Sequence, residues 1–363
     1  MAAGGQSGSS SSAARRGGLP AILPARLVRA IPAALLLTAA FGRPLSAQDK
    51  LYLKRPDSTE TLMTAGEILD YTGRTIRYRT QTGLREEPAS IVVRVETTYP
   101  EADRRAQQAF EAGDYAAAID EWRAALRTES RAWVQRELRA RIVRTLLREG
   151  RFTDAGEAFL EIVASDPETL HWPVAPLLWA PTPLSVDDRA AASSRMSSTV
   201  PAARLLGASV LLGDANLGDA AERALQDLAR DVSANISQLA RAQLWRRRSG
   251  TAISDNELAN WRSHVASMPP GTRAGPQYLI GRARLARSEF DIAAAELLWV
   301  PLVYSEHEPT AARASFDAAE ALLRAGHRDD ADRLFAETAE RYPWSPVARE
   351  AESRRRELAA PAP

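Results

Sequence analysis

The spacing of hydrophobic and polar positions changes near residue 100. Before it, the two kinds alternate. "LYLK" (51–54) sets Leu51 and Leu53 against Tyr52 and Lys54, "TIRYRT" (75–80) sets Ile76 and Tyr78 against Arg77 and Arg79, and "IVVRVE" (91–96) carries an Ile and three Val. A period of two sends successive side chains to opposite faces, as in half-buried strands. Arg77 and Arg79 then read as a solvated strand face. "YTGR" (71–74) and "QTGL" (81–84) read as tight turns, with Gly73 and Gly83 supplying the positive φ that such turns need. Gly66, inside "MTAGEILDY", marks a sharp bend or bulge. The expectation for 48–99 is a small β domain of four or five short strands curled into a barrel.

From residue 100 the period is 3.6. One helix is expected around 100–111 and a second around 114–128, with Gly113 in the turn, where a left-handed backbone costs little. Tyr115, Ala118, Trp122 and Ala125 share a face of the second helix. Ala118 is small where two helices cross closely, and Trp122 fills the space beyond. Val134, Leu138, Ile142 and Leu146 then line another helix, Gly150 breaks it, and Phe152, Ala155 and Phe159 repeat the roles of Tyr115, Ala118 and Trp122. Gly113 and Gly150 are 37 residues apart. The pattern returns late in the chain. Gly281 sits at a close-packing position, Phe290, Ala293 and Leu297 follow, and then come Gly326, Ala331 and Phe335, with Ser288 and Gly326 in equivalent turns.

These residues resemble the tetratricopeptide repeat (TPR) family, in units at 100–130, 131–167, 275–305 and 312–343, with a degenerate unit at 203–229 built around Gly207 and an off-pattern helical stretch at 235–268. The last unit, with "ERYPWSPVAREA", looks like exported repeat proteins of bacterial envelopes, such as those of the Tol-Pal system and of outer-membrane assembly. The layout also looks like that of repeat proteins from planctomycete-type bacteria, and residues 48–99 resemble the SH3-like and Sm-like small barrels. The fold class implied is mainly α, a TPR-like α-solenoid of antiparallel helix pairs preceded by a small β-barrel-like domain. One repeat cannot bury its apolar face alone, so stacked neighbours must share a core. The repeat family binds peptides along a concave surface made by the first helix of each pair. Carried over by register from the turn glycines, that face implies Glu137, Arg144 and Arg148 in the second unit, and Tyr278, Arg282, Arg313, Phe316 and Glu320 in the later pair. Charges that only solubilise the inner face are an equal reading of the same residues.

The segment 166–185, "DPETLHWPVAPLLWAPTPLS", interrupts the helices with a run of prolines, which forbid a continuous helix. It is expected to cross between two sub-arrays as an extended, packed connection, with Trp172 and Trp179 as pegs that hold it to the helices rather than as part of a binding surface. The first 47 residues read as a secretory signal peptide: Arg26 and Arg29 precede the apolar run 30–42, and a cut is expected after Ala47. The run is too short for a bilayer span, which needs about 20 residues. The resulting plan is signal peptide 1–47, β domain 48–99, TPR pair 100–170, Pro/Trp-rich connection 171–200, degenerate and TPR-like repeats 201–350, and tail 351–363.

Charge and chemistry narrow the function. The chain carries 47 basic and 46 acidic side chains, and without the leader's five Arg the balance turns mildly acidic. That does not suit a globally basic nucleic-acid binder. The absence of Cys removes disulfides, thiolate metal sites and a Cys nucleophile. The four His (171, 264, 307 and 327) form no HExxH, and His307 in "SEHEP" reads as a solvated helix end. There is no GxSxG, no phosphate-cradling Gly loop and no GxGxxG. No catalytic residue, cofactor or metal is expected. The function expected is a non-catalytic protein-interaction scaffold of the cell envelope, periplasmic or secreted, that holds a protein or peptide. It involves no nucleic acid and no membrane span after signal cleavage. A homo-oligomeric structural subunit is the alternative. Because paired carboxylates need no local motif, an envelope hydrolase or its regulator is a further one.

Overall fold

The computed structural model describes residues 49–55 and 60–360. The expected leader at 1–47 lies outside the described residues. A five-stranded antiparallel sheet comes first, formed by β1 (Asp49–Lys54), β2 (Thr61–Tyr71), β3 (Thr75–Thr80), β4 (Gly83–Pro88) and β5 (Val92–Glu96), in the order β4-β3-β2-β1-β5. β2 is long because it serves two partners. Its first half pairs with β1 up to Gly66 opposite Asp49, and its second half pairs with β3 from Glu67 opposite Arg79. A Cβ at Gly66 would lie 2.6 Å from the Arg79 carbonyl oxygen, so only Gly fits where the strand changes partner. Leu51, Ile68 and Ile76 turn inward and are buried.

Gly83 has the expected positive φ of 131°. Gly73 does not have a positive φ; its lack of a side chain serves a close approach instead. A Cβ there would meet the Glu168 carbonyl oxygen at 1.6 Å, and the Gly73 N–H donates to Asp166 Oδ2 at 2.9 Å. This hairpin is thus seated against the chain that leaves the second helix pair.

Fourteen helices follow among the described residues: α1 (Glu101–Glu111), α2 (Tyr115–Thr128), α3 (Ala132–Arg148), α4 (Phe152–Ser165), α5 (Val186–Met196), α6 (Pro201–Leu211), α7 (Gly218–Leu228), α8 (Ala234–Leu244), α9 (Asp255–Ser267), α10 (Ala274–Ala286), α11 (Phe290–Val303), α12 (Glu308–Arg324), α13 (Arg328–Arg341) and α14 (Pro346–Ala359). The turns α1–α2, α3–α4, α10–α11 and α12–α13 are built alike. Gly113, Gly150, Ser288 and Gly326 take positive φ, and in each turn the next residue donates its N–H to the carbonyl five residues earlier: Asp114 to Ala109, Arg151 to Leu146, Glu289 to Arg284, His327 to Leu322. This is the bonding of a Schellman C-cap. Five residues after each turn residue stands a fully buried Ala (118, 155, 293 and 331), and nine residues after it a large buried side chain, namely Trp122, Phe159, Leu297 or Phe335. Gly281 faces Leu297 so closely that a Cβ would touch its side chain at 2.5 Å. Tyr115 and Phe152 are half-buried at the matching entry position.

Apart from α8 and α9, helices pack on their sequence neighbours, and α4, α6, α8, α10, α12 and α14 also touch in succession, forming one layer. One continuous core runs from Leu51 in β1 to Tyr342 beyond α13. The Pro/Trp-rich connection is packed but not extended throughout: it passes through turns and a short 3-10 helix, Trp172–Val174, before the non-helical stretch 175–184, and Trp172, Leu177, Leu178 and Trp179 are buried pegs. The later part of 171–200 is helical, as α5, and residues 351–359, expected as tail, form the second half of α14 with Ala351 fully buried. No helix among the described residues is long and apolar enough to cross a membrane.

Candidate functional site

The non-helical stretch 175–184 of the connection lies against the helix layer. The Leu178 N–H donates to Ser209 Oγ of α6 at 3.0 Å, and the Leu178 carbonyl accepts from Gln243 Nε2 of α8 at 3.1 Å. Trp179 lies against Gly275 of α10, where a Cβ would fall 1.9 Å from the indole. Beyond Trp179 the segment opens onto a cavity of about 590 Å³, walled by Leu178–Leu184, the end of α6, residues 246–250 after α8, and Tyr278, Leu279 and Arg282 of α10. A second cavity, of about 380 Å³, shares Gly250 and Arg282 with the first. It continues along Arg313, Phe316, Asp317, Glu320 and Arg324 of α12 to Arg354 of α14. Residues 278, 282 and 285 of α10, and 313, 316, 320 and 324 of α12, recur at three- and four-residue intervals and so share one face of each helix.

Five of the expected partner-binding residues therefore line two adjoining cavities: Tyr278, Arg282, Arg313, Phe316 and Glu320. Their roles differ from a simple contact row. Tyr278 is 1% exposed, its hydroxyl donates to Asp317 Oδ2 at 2.9 Å, and burial raises its pKa. Phe316 is buried, with its ring 5.3 Å from that of Phe335. The buried Asp317 also takes Arg282 at 3.2 Å and Arg313 at 2.9 Å, and Glu320 is held by both ends of the Arg354 fork at 2.5 and 2.8 Å. Arg324 is exposed and forms no ion pair among the described residues.

The three α3 residues lie elsewhere. Arg148 grips Glu308 at the start of α12 through two bonds of 2.6 Å and sits over the Phe110 ring at 4.2 Å, so its guanidinium is engaged within the chain. Glu137 lies 3.6 Å from Arg141 and 3.9 Å from His171 Nε2. Arg144 is half-buried and forms no ion pair among the described residues.

Arg246 is not among the residues picked out by register. It follows α8 in "WRRR" (245–248), within the stretch that departs from the repeat pattern. Its Nη1 donates to the Ser209 carbonyl at 2.6 Å and to Gln243 Oε1 at 2.8 Å, both neutral acceptors. The residue as a whole is only half-buried, but its head group lies deep enough that burial lowers its pKa to about 10. The one available signal was the Arg run itself, which equally describes a solvated helix end.

His307 departs from expectation. It does stand at a helix end, as the N-cap of α12, but both ring nitrogens are sealed from solvent and meet no side-chain partner, with only the backbone of Ala175 and of His307 itself nearby. Burial lowers its pKa, and burial likewise lowers those of His171 and His264. The folded protein thus takes up these protons at lower pH than the unfolded chain, whose His titrate near about 6.5. Their contribution to stability is complete above that value and is lost as pH falls below it, with a slope of at most about 1.4 kcal/mol per pH unit for each group. The melting temperature, followed by circular dichroism, is expected to drop between pH 7.5 and pH 5.5, and His307→Leu to flatten the drop. A melting temperature unchanged over that interval would contradict the burial of these rings.

Among the described residues no three His, Asp or Glu side chains gather into a metal site. No protein-family model matches the chain, and no curated protein matches it.

Proposed function

We propose that the chain is a non-catalytic scaffold of the bacterial cell envelope, an exported TPR-like α-solenoid with a small SH3/Sm-like barrel in front. It holds a partner protein or peptide on the face formed by α10, α12 and α14. The observation that carries this reading is that the helix layer already holds one non-helical peptide segment, its own. The main chain at Leu178 is bonded on both sides by side chains of α6 and α8, and its neighbour Trp179 is seated on α10. The same layer continues past the end of that segment as the cavity reaching Arg324 and Arg354. Arg suits acidic partners because its fork holds a carboxylate by two parallel bonds.

Arg324 is the residue to test. Exchanging Arg282 and Arg313 for Glu would crowd carboxylates around Asp317 and confuse loss of binding with loss of fold. A photo-crosslinking side chain at position 324, in the producing cells, is expected to capture a discrete partner, and Arg324→Glu to abolish copurification of that partner. Position 104 on α1 serves as the control. Equal adducts from both positions, or none from either, would overturn the assignment.

A homo-oligomeric subunit is the second reading. It is favoured by Ile292, Trp299, Leu302 and Val303, which leave a large apolar strip of α11 exposed, Leu302 by 72%. A light-scattering mass that rises with concentration and returns to that of one chain in Trp299→Glu would support it.

A further inference from the structure

The 590 Å³ cavity has the size typical of small-molecule sites. Its composition is lopsided. Arg246 and Arg189 both line it, and neither forms an ion pair among the described residues: Arg246 spends Nη1 on two neutral oxygens, and Arg189 donates to the carbonyls of Ser185 and Leu184. The remaining cations of the wall are committed, Arg247 to Asp219 and Glu222, and Arg282 to Asp317. One carboxylate lines the cavity, Asp214; its Oδ1 accepts the N–H groups of Asn216 and Leu217 at 2.9 and 3.0 Å, and its charge partly offsets that of Arg189 without pairing with it, so Arg246 is the cation left without an acid. A guanidinium withdrawn from water and given no anion is costly to hold. Arg246 nonetheless keeps its Nε and Nη2 without a partner among the described residues, and neither atom is sealed off from solvent. The rest of the lining includes apolar side chains, Leu178, Trp179, Val210, Leu212 and Leu279.

We infer that this cavity is a binding site for a small amphiphilic organic anion, with its carboxylate or phosphate head group on Arg246 and its apolar body against the apolar side chains of the same lining, Trp179 and Leu212 among them. Arg189 adds a second cation at the cavity wall, and Arg246 supplies two parallel donors of the kind that grip a planar carboxylate. The site adjoins the face around Arg324, sharing Gly250 and Arg282 with its cavity, but the argument for it does not rest on the partner reading.

Isothermal titration below the micelle concentration, with laurate and lauryl phosphate as probes, distinguishes the two head groups. Dodecanol supplies the apolar body alone and inorganic phosphate the charge alone. At least one of the two amphiphiles is expected to bind saturably at one per chain, and both controls at least tenfold more weakly. Arg246→Gln is expected to weaken the bound probe at least tenfold, and Arg246→Lys to weaken it less. Because Arg246 also supports the Ser209 carbonyl, a second variant avoids that bond. Gly213 lines this cavity, and a Cβ there meets nothing within 4 Å. Gly213→Trp leaves that bond intact and, with the fold checked by its melting temperature, is expected to reduce binding. Dodecanol binding as tightly as both amphiphiles, no saturable binding of either, or binding that neither Arg246→Gln nor Gly213→Trp changes would each overturn the proposal.

Discussion

Asp317→Ala is expected to destabilise the protein by about 3–5 kcal/mol, the usual cost of deleting one partner of a buried ionic cluster. Asp317 is itself buried, and three donors converge on its two oxygens: the Tyr278 hydroxyl, Arg282 and Arg313. With the carboxylate gone, a buried phenol and two guanidinium groups face one another. Arg313 can still lean on Glu350, 2.8 Å from its Nη1, but Arg282 has no second carboxylate among the described residues. Asp317→Asn keeps an acceptor for Tyr278 and removes the charge, so it is expected to cost less, about 1–3 kcal/mol. Denaturant midpoints of the two variants check the order. A midpoint for Asp317→Ala within experimental scatter of the parent would mean that α10 and α12 are held together by apolar packing alone.

Gly275→Ala is expected to cost a similar amount, about 3–5 kcal/mol, because it acts like deletion of a buried Trp. One methyl group would lie 1.9 Å from Trp179 Cε2 and 2.4 Å from its Nε1, inside any real contact distance. A flexible side chain would step aside, but this ring has little room to do so. It is nearly inaccessible to solvent, and the main chain beside it is tied to α6 and α8 through Ser209 and Gln243. The non-helical segment must therefore leave its seat or α10 must shift. A double-mutant cycle tells which contact is responsible. Trp179→Ala should be costly alone, and adding Gly275→Ala to it should cost almost nothing more, since the clash has no second partner. Additive losses would show that the glycine matters for some reason other than the indole.

The repeated turns were legible in the chain because their chemistry is local. Gly113, Gly150 and Gly326 mark left-handed residues, small Ala and large apolar residues follow at fixed offsets, and even Ser288 could be aligned by spacing, though nothing local asks for positive φ there. Register also brought Tyr278, Arg282, Arg313, Phe316 and Glu320 to one pair of cavities. It could not say that Tyr278 and Phe316 are core residues, because the buried carboxylate that captures the hydroxyl comes from a helix 39 residues further on. Arg246 was out of reach for the opposite reason: a run of Arg looks the same in solvent and behind a cavity wall, and only the missing acid separates the two. Gly73 shows the same limit. A turn is expected there and found, but without the positive φ expected of its glycine, whose need arises from a carbonyl nearly a hundred residues away.

The clasp between Arg148 and Glu308 bears on how the molecule comes into being. In an open stack each unit leans only on its neighbours, so an array can assemble as it emerges and fray from either end. Here the close of α3 finds its ionic partner 160 residues later, and the Arg148 guanidinium lies 5.5 Å from the ring of Trp344, later still. During synthesis, the leading helices therefore stay unfinished until most of the polypeptide has arrived. A chain that stops short of residue 308 forfeits contacts at its beginning as well as its end.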